Sequence, residues 1–334
     1  MTQSATTPEL SFARAQQQLD AVCSALDRVI VGQHETVAGI VTAVFAGGHV
    51  LMEGLPGLGK THLAKALAAA LGLQWSRVQC TPDLMPADVT GSEVFSTGHD
   101  GATSFVFRPG PVFAQLVLVD EINRATPRTQ AALLEAMQEM QVTHAGTSRP
   151  LPLPFCVLAT QNPIELEGTY PLPEAQLDRF MFKLKVPYPD HDSLRALLDV
   201  SLDAEPANTL PAVLQPADVL GLTTLCRATL VSERCKQAAI ALVLATQPSS
   251  ASDQPSGREH IRYGASPRAL QSLVRAARVR AVMSGRSHLD IDDLAAVALP
   301  TLRHRVLLRL ESELEGFDAD TVLRGIVDQW RREF

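Results

Sequence analysis

The chain has 334 residues, a length that one hydrophobic core seldom serves, so the sequence predicts two domains. Hydrophobic residues make up 46% and charged residues 19%, which excludes a wholly disordered chain. The formal net charge of −7 disfavours a protein whose main task is to grip nucleic-acid backbone, so nucleic acid is not an expected partner.

The cysteine pattern and the lengths of the apolar segments indicate where in the cell the protein is expected. No two of the five cysteines form a C-x-x-C pair, which predicts reduced, buried thiols and a reducing environment. The first ten residues lack the basic and apolar regions of a signal peptide. The most apolar segments, Val37–Phe45 and Leu63–Leu71, are too short to span a membrane. We therefore expect a cytoplasmic protein without a membrane span.

The first half of the chain alternates helical segments with short apolar runs. Helices are predicted at about Ser11–Val29, Glu35–Ala46, Thr61–Leu71 and Pro127–Met140. Strands are predicted at His49–Glu53, Trp75–Cys80, Leu116–Asp120, Phe155–Thr160 and Phe180–Val186. This alternation is typical of an α/β fold in which helices cover both faces of a parallel sheet.

Two segments interrupt the alternation, and each has the pattern of a β-hairpin. The runs Glu93–Phe95 and Ser104–Phe107 flank a turn signal at Gly98–Gly101. Residues Gln141–Phe155 contain a turn glycine, Gly146, followed by a proline-spaced run, which indicates a second inserted hairpin or a loop. The sequence therefore predicts two hairpin insertions in the α/β core.

The pattern changes after Pro187–Pro189, and no strand is predicted beyond that point. Amphipathic helices are predicted at Leu194–Leu202, Ala217–Ala228, Ser232–Gln247, Pro267–Met283, Ile291–Leu299 and Asp320–Arg331. A Ser-, Gly- and Pro-rich loop is expected at Pro248–Gly264. We therefore predict a nucleotide-binding core at residues 1–190 and an all-α domain at residues 191–334.

A glycine-rich loop follows the first predicted strand. Gly54–Thr61 matches G-x-x-x-x-G-K-[ST], and the required strand and helix flank it. Such a loop turns backbone N–H groups inward and places a helix N-terminus beside phosphate. Lys60 is expected to reach the β- and γ-phosphates of ATP, and Thr61 is expected to ligate Mg²⁺.

Polar residues end the next apolar runs. Asp120 closes a strand and is placed to hold Mg²⁺, directly or through water, while Glu121 is placed to polarise the attacking water. Asn162 is either a hydrogen-bond donor to the γ-phosphate or lytic water, or a turn residue before Pro163. Spacing alone does not decide between these roles, nor whether Arg179 or Arg268 meets phosphate.

Taken together, the motifs resemble those of AAA+ ATPases, and within them those of the MoxR group. The resemblance runs from about Ile30 to about Arg305 and is carried by a set of segments. These are Gly54–Thr61, Thr81–Asp88, Gly110–Phe113, Asp120–Ala125, Leu133–Glu139, Ala159–Pro163, Glu167–Phe180 and Gly264–Arg268.

The resemblance implies a role for each matched position. Glu121, Asn162 (sensor 1), Arg179 (arginine finger) and Arg268 (sensor 2) would be catalytic, and Thr61 and Asp120 would bind the metal. Arg179 would act on a neighbouring subunit, and Arg268 either within its own chain or across the interface. The nucleotide-binding positions would be Val31, Gly32, Gln33, Gly54, Pro56, Gly57, Leu58, Gly59, Lys60, Thr61 and His62.

The resemblance also implies an assembly and partners. MoxR-like proteins are expected to form a homo-oligomeric, hexameric ring whose inserted hairpins face the central pore. They are expected to act as chaperone-like remodellers of client proteins, together with proteins that carry a von Willebrand factor A domain. This chain has no Asp-x-Ser-x-Ser metal site, so such a partner would be a separate polypeptide.

Three other functions share parts of this pattern. A nucleic-acid motor of the same branch would need basic hairpins, and Glu93–Arg108 and Gln141–Pro154 carry few basic residues. A metal-chelatase-type motor subunit is not excluded by any residue. A nucleotide-gated scaffold without hydrolysis is disfavoured by the complete set of catalytic positions.

Several isolated polar residues are expected to have no catalytic role. The histidines His34, His62, His144, His191 and His304 are each expected at the surface or in a satisfied core position, although His62 adjoins the phosphate loop. Arg303, His304, Arg305 and Arg309 are expected to form a solvated face, or alternatively to contact an acidic partner or the nucleotide. Arg124 is a candidate for a subunit interface.

Overall fold

The computed structural model describes residues 11–97, 103–164, 168–203, 210–248 and 257–334. The strands are β1 (Val50–Glu53), β2 (Trp75–Gln79), β3 (Gly91–Thr97), β4 (Thr103–Pro109), β5 (Leu116–Asp120), β6 (Gln141–His144), β7 (Thr147–Pro150), β8 (Cys156–Gln161), β9 (Phe182–Lys185), β10 (Ile261–Tyr263) and β11 (Leu307–Leu308). The helices are α1 (Phe12–Asp27), α2 (His34–Phe45), α3 (Lys60–Ala70), α4 (Pro86–Thr90), α5 (Pro127–Glu139), α6 (Glu174–Leu177), α7 (His191–Asp203), α8 (Pro216–Ala228), α9 (Glu233–Ala245), α10 (Pro267–Met283), α11 (Ile291–Leu302), α12 (Leu310–Leu314) and α13 (Ala319–Glu333).

A five-stranded parallel sheet in the order β2-β5-β8-β1-β9 forms the centre of the fold. Successive residues of a strand point to opposite faces, and both faces are buried here. Val50 and Met52 of β1 belong to the core with α1, α2 and α3, whereas Leu51 belongs to the core with α5. The predicted α/β architecture is confirmed, and all five predicted strands lie in this sheet.

The two predicted hairpins are present beside the sheet. β3 pairs with β4 and β6 pairs with β7, both antiparallel. Phe107 of the first hairpin contacts the second, because the Arg149 guanidinium lies 4.0 Å from its ring centroid and the His144 ring lies 5.7 Å away. The predicted turn at Gly98–Gly101 lies outside the described residues.

The C-terminal part is helical, as predicted, with one correction. A two-stranded antiparallel ribbon of β10 and β11 lies in the region for which no strand was expected. These strands have three and two residues, too few to carry a recognisable alternation. Residues 249–256 of the predicted loop lie outside the described part of the chain, and the division at residue 190 stays a prediction. None of the described helices is long and apolar enough to cross a membrane.

The prediction of a solvated face at residues 303–309 is wrong for His304 and Arg305, which are both buried. Arg305 is only 8% exposed, and its guanidinium donates to the Asp178 carboxylate at 2.7 Å and to the backbone carbonyls of Phe180 and Met181 at 2.7 and 3.1 Å. His304 is buried as well and donates from Nε2 to the Phe180 carbonyl at 3.0 Å. These residues join the helical region to the segment between α6 and β9.

His49 is a second buried histidine, placed immediately before β1. Its Nε2 donates to the Met137 carbonyl at 3.2 Å, and its Nδ1 accepts from the Val157 N–H at 3.1 Å. Burial lowers the pKa of His49 to about 4, and the hydrogen bond to Met137 only partly opposes that shift. The neutral ring is therefore the form that fits the fold.

The pKa of His49 predicts that acid destabilises the protein. The unfolded ring titrates near pH 6.5, so below that pH the unfolded state binds more protons and the free energy of unfolding falls until about pH 4. Between pH 7.5 and 5 we expect His49 to account for a loss of about 2 kcal/mol. Urea unfolding at both pH values should show a smaller loss for His49→Gln than for the wild type.

A matched control is His191→Gln, since the His191 side chain is 90% exposed. It should keep the full wild-type loss between pH 7.5 and 5. Equal losses in wild type and His49→Gln would contradict this account of His49.

Candidate functional site

The glycine-rich loop connects β1 to α3 at the carboxyl edge of the sheet. Gly57 and Gly59 have φ angles of +83° and +74°, in the left-handed region that glycine adopts without strain. A Cβ atom added at either position would meet no atom within 4 Å, so the loop borders open space. Because α3 begins at Lys60, this space lies at a helix N-terminus, which favours an anion.

Lys60 supplies the cation of the loop. Its Nζ donates to the Gly54 carbonyl at 2.5 Å and to the Leu55 carbonyl at 3.1 Å. Burial lowers the pKa of Lys60, and the nearby carboxylates of Asp120 and Glu121 act in the opposite direction. A positive charge is thus held against the loop, where a polyphosphate would lie.

Asp120 is the centre of a hydrogen-bonded cluster at the end of β5. Its Oδ2 accepts from Thr61 Oγ1 at 3.3 Å and from Arg77 Nε at 2.7 Å, and its Oδ1 accepts from Thr160 Oγ1 at 3.2 Å. Carboxylate and hydroxyl oxygens are the ligands that Mg²⁺ prefers. The donor set at Thr61 and Asp120 therefore fits the predicted metal site.

Glu121 has an unusual backbone conformation. Its φ and ψ of 56° and 51° place it in the left-handed helical region, which costs a non-glycine residue about 1–2 kcal/mol. Its N–H donates to Thr160 Oγ1 at 2.9 Å, and its Oε2 accepts from Gln79 Nε2 and Arg124 Nη1, both at 3.1 Å. These contacts hold the carboxylate beside the glycine loop.

Sequence reasoning missed Arg77, Gln79 and the role of Thr160. Arg77 and Gln79 lie two residues apart on the edge strand β2, so they share one face of the sheet. The available signal was that Arg77 and Gln79 alternate with Ser76 and Val78, which places the two long polar side chains on one face of the strand. Their partners Asp120 and Glu121 become evident only once the neighbouring position of β2 and β5 is known.

Three of the predicted nucleotide-binding positions, Val31, Gly32 and Gln33, precede α2, and Gln33 contacts the glycine loop. Gln33 Nε2 donates to the Leu58 carbonyl at 2.9 Å. Gln33 Oε1 is buried and has no hydrogen-bond partner among the described residues, so it offers an acceptor to an amino group. Gly32 lies against Ser193 near the start of α7, and Val31 is half-buried. The unpaired Gln33 Oε1 is the observation that favours the predicted nucleotide contact here, while the space beside Gly32 is filled by Ser193.

Asn162 lies at the end of β8, close to the loop. The preceding residue, Gln161, accepts from the Gly54 N–H at 3.3 Å. Asn162 is 6% exposed, and its Oδ1 accepts from the Ile164 N–H at 3.2 Å, the geometry of the turn expected before Pro163. His62 is half-buried in the first turn of α3, and its contact with nucleotide stays a prediction.

Arg179 and Arg268 lie apart from this cluster. Both line a cavity of about 200 Å³ together with His49 and Met137. His49 lies just before β1, and the glycine loop lies just after β1. The four-residue strand therefore separates this cavity from the glycine loop by about 13 Å. Arg179 Nε is buried and has no hydrogen-bond partner among the described residues. The structure thus groups Lys60 with the two acids and places both arginines at the opposite edge.

Comparison with known proteins identifies the family of the chain. Residues 49–182 match the model of the ATPase family associated with various cellular activities (AAA), and residues 257–326 match an AAA lid domain. The chain is 40% identical to the uncharacterized protein YeaC of Bacillus subtilis over 90% of this chain and 91% of that protein. It is 37% identical to Chaperone MoxR1 of Mycobacterium tuberculosis over 90% and 78% of the two chains.

A solved structure extends the comparison to three dimensions. The crystal structure of a candidate ATPase from Cytophaga hutchinsonii superimposes with a TM-score of 0.86 at 37% identity and covers 95% of each chain. The glycine loop, the acids at the end of β5 and the helical C-terminal region define an AAA+ fold. The chain belongs to the MoxR family of AAA+ ATPases.

The position of Thr160 predicts that its hydroxyl stabilises the site. Thr160→Val keeps the shape of the side chain but leaves Asp120 Oδ1 and the Glu121 N–H without their shared partner. We expect the free energy of unfolding to fall by about 1–3 kcal/mol. Thr301→Val is the control, because Thr301 is equally buried but its hydroxyl donates only to a carbonyl of its own helix, Val297. Urea unfolding should show a clearly smaller loss for Thr301→Val, and equal losses would count against the proposed role of Thr160.

Proposed function

We propose that this protein binds Mg·ATP and hydrolyses it. The observation that carries the proposal is the convergence of Lys60, Thr61, Asp120 and Glu121 on one open glycine loop. Lys60 would bind the β- and γ-phosphates, and Thr61 and Asp120 would hold Mg²⁺, which neutralises phosphate charge when bound. Glu121 would accept a proton from the attacking water, and Asn162 would orient that water or the γ-phosphate.

Removal of the carboxylate at residue 121 should separate binding from hydrolysis. Glu121→Gln keeps the size of the side chain but removes the base, so we expect Mg·ATP affinity within about threefold of wild type and turnover lower by at least about 100-fold. Calorimetry and phosphate release measure the two quantities. Glu135→Gln, an exposed position on α5, is the matched control and should hydrolyse ATP normally. Wild-type turnover in Glu121→Gln would assign the base role to another residue.

The separation of the two arginines from the loop supports an oligomeric site. Arg179 and Arg268 line a cavity at the edge of the sheet opposite Lys60, so their charge is available to a second copy of the chain. We propose a homo-oligomeric ring, expected to be hexameric, in which both arginines act on the nucleotide of a neighbour. An arginine supplied across an interface can raise turnover by about 10³–10⁵.

Mixing two inactive variants tests this arrangement. Arg179→Ala should bind ATP but lose most hydrolysis, and Lys60→Ala should lose ATP binding. In mixed rings, some interfaces join an intact glycine loop to an intact Arg179, so part of the phosphate-release activity should return. The control is a mixture of Arg179→Ala with the double variant Lys60→Ala/Arg179→Ala, which contains no intact Arg179. Mixed rings that form, as shown by mass spectrometry, and remain inactive would refute action in trans.

We further propose that ATP hydrolysis drives chaperone-like remodelling of client proteins in the cytoplasm, in concert with a partner that carries a von Willebrand factor A domain. Support comes from the relative named Chaperone MoxR1 and from the two hairpins, which would face the pore of a ring. A nucleic-acid motor is less well supported, since Arg149 in the second hairpin packs on Phe107. A metal-chelatase-type motor subunit has no specific observation in its favour.

A further inference from the structure

Arg77 places a positive charge on the oxygen that the proposed metal site requires. Its Nε donates to Asp120 Oδ2 at 2.7 Å, and Thr61 Oγ1 donates to that same oxygen at 3.3 Å. The Asp120 side chain is 10% exposed and the Arg77 side chain 46% exposed, so the arginine approaches a nearly buried carboxylate from the solvent side. Oδ2 thus has two donors, one of them cationic.

A second residue of β2 anchors Arg77 in this position. The Arg77 Nη2 group donates to Gln79 Oε1 at 2.7 Å, and Gln79 Nε2 in turn donates to Glu121 Oε2 at 3.1 Å. Because a side-chain amide has one acceptor end and one donor end, Arg77 fixes which end of Gln79 faces Glu121. One chain of hydrogen bonds thus joins the acid proposed to hold metal to the acid proposed to act as base.

A guanidinium and a divalent cation compete for the same carboxylate oxygen. Burying a carboxylate without a nearby cation raises the free energy of the folded protein, and the Arg77 guanidinium offsets that desolvation penalty at Asp120. We propose that Arg77 is an internal counter-ion of Asp120 that competes with Mg²⁺, and that it sets the Mg²⁺ concentration required for nucleotide binding. This inference rests on the proposed function of the site.

Arg77 is accordingly a positioning residue rather than a catalytic one. When Arg77 leaves Asp120 Oδ2, it also leaves Gln79 without the donor that orients its amide. Glu121 then keeps Arg124 as its partner and loses an oriented Gln79. In this way the same displacement that opens Asp120 loosens the contact on Glu121.

The test measures the Mg²⁺ dependence of nucleotide binding rather than turnover. A fluorescent ATP analogue is titrated with Mg²⁺ from a metal-free start, and the midpoint of the Mg²⁺-dependent rise in affinity is recorded. For Arg77→Gln we expect the midpoint to fall by about three- to fivefold, near the upper end of the effect expected for losing one half-exposed ion pair. Arg77→Lys, which keeps the charge, should remain closer to wild type.

Two further variants make the result specific. Arg124→Gln removes the same charge from the neighbouring acid, Glu121, and should leave the Mg²⁺ midpoint within about twofold of wild type, which is about 0.4 kcal/mol. Gln79→Ala removes the anchor of Arg77 and should lower the midpoint in the same direction but by less. Gln79→Ala also provides a separate reading if Arg77→Gln lowers stability.

The possible outcomes separate this inference from the proposed function. An unchanged midpoint in both Arg77→Gln and Gln79→Ala overturns the inference while ATP binding stands. A fall of equal size in Arg124→Gln also overturns the inference, because removing any positive charge near the site would then have the same effect as removing the contact with Asp120. A wild-type protein that binds no ATP analogue at any Mg²⁺ concentration overturns the proposed function, and the inference with it.

Discussion

The buried carboxylate of Asp120 is the constraint around which this site is built. A negative charge removed from water needs donors or a cation nearby, and three separate parts of the chain supply them. Helix α3 contributes Thr61, strand β2 contributes Arg77 and strand β8 contributes Thr160. Because β2 and β8 flank β5 in the sheet, the hydrogen bonds to this one charge link the ends of three neighbouring strands to the helix that follows the glycine loop.

Arg179 and Arg268 lie apart from Lys60, so one chain does not bring all the proposed catalytic residues together. Within one chain, the loop, the metal-binding oxygens and the carboxylate of Glu121 lie together, but the cations that would meet developing charge on the γ-phosphate line a cavity at the other edge of the sheet. The proposed active site therefore lacks its two arginines when only one chain is present. A nucleotide would be bound by one chain and acted on by two.

The sequence predicted what depends on local spacing and missed what depends on strand order. Gly54–Thr61 and Leu116–Glu121 are contiguous, so the strand, loop and helix that they form were predictable along the chain, as were the helices with regular apolar periodicity. The partnership of Arg77 with Asp120 joins residues 43 positions apart and requires β2 to lie beside β5. The burial of Arg305 likewise depends on Asp178, 127 positions away, and β10 and β11 are too short to show a period.

The hydrogen bonds of Arg305 have a mechanical consequence. Its guanidinium joins α11 and α10, through Thr301 and Ser272, to the backbone between Asp178 and Met181. Arg179 lies within that backbone segment. A rotation of the C-terminal helices must therefore either break a buried ion pair, at a cost of about 3–5 kcal/mol, or carry Arg179 with it. The position of Arg179 is therefore coupled to the orientation of the C-terminal helices, and in the proposed ring such a rotation would also move Arg179 relative to the neighbouring subunit.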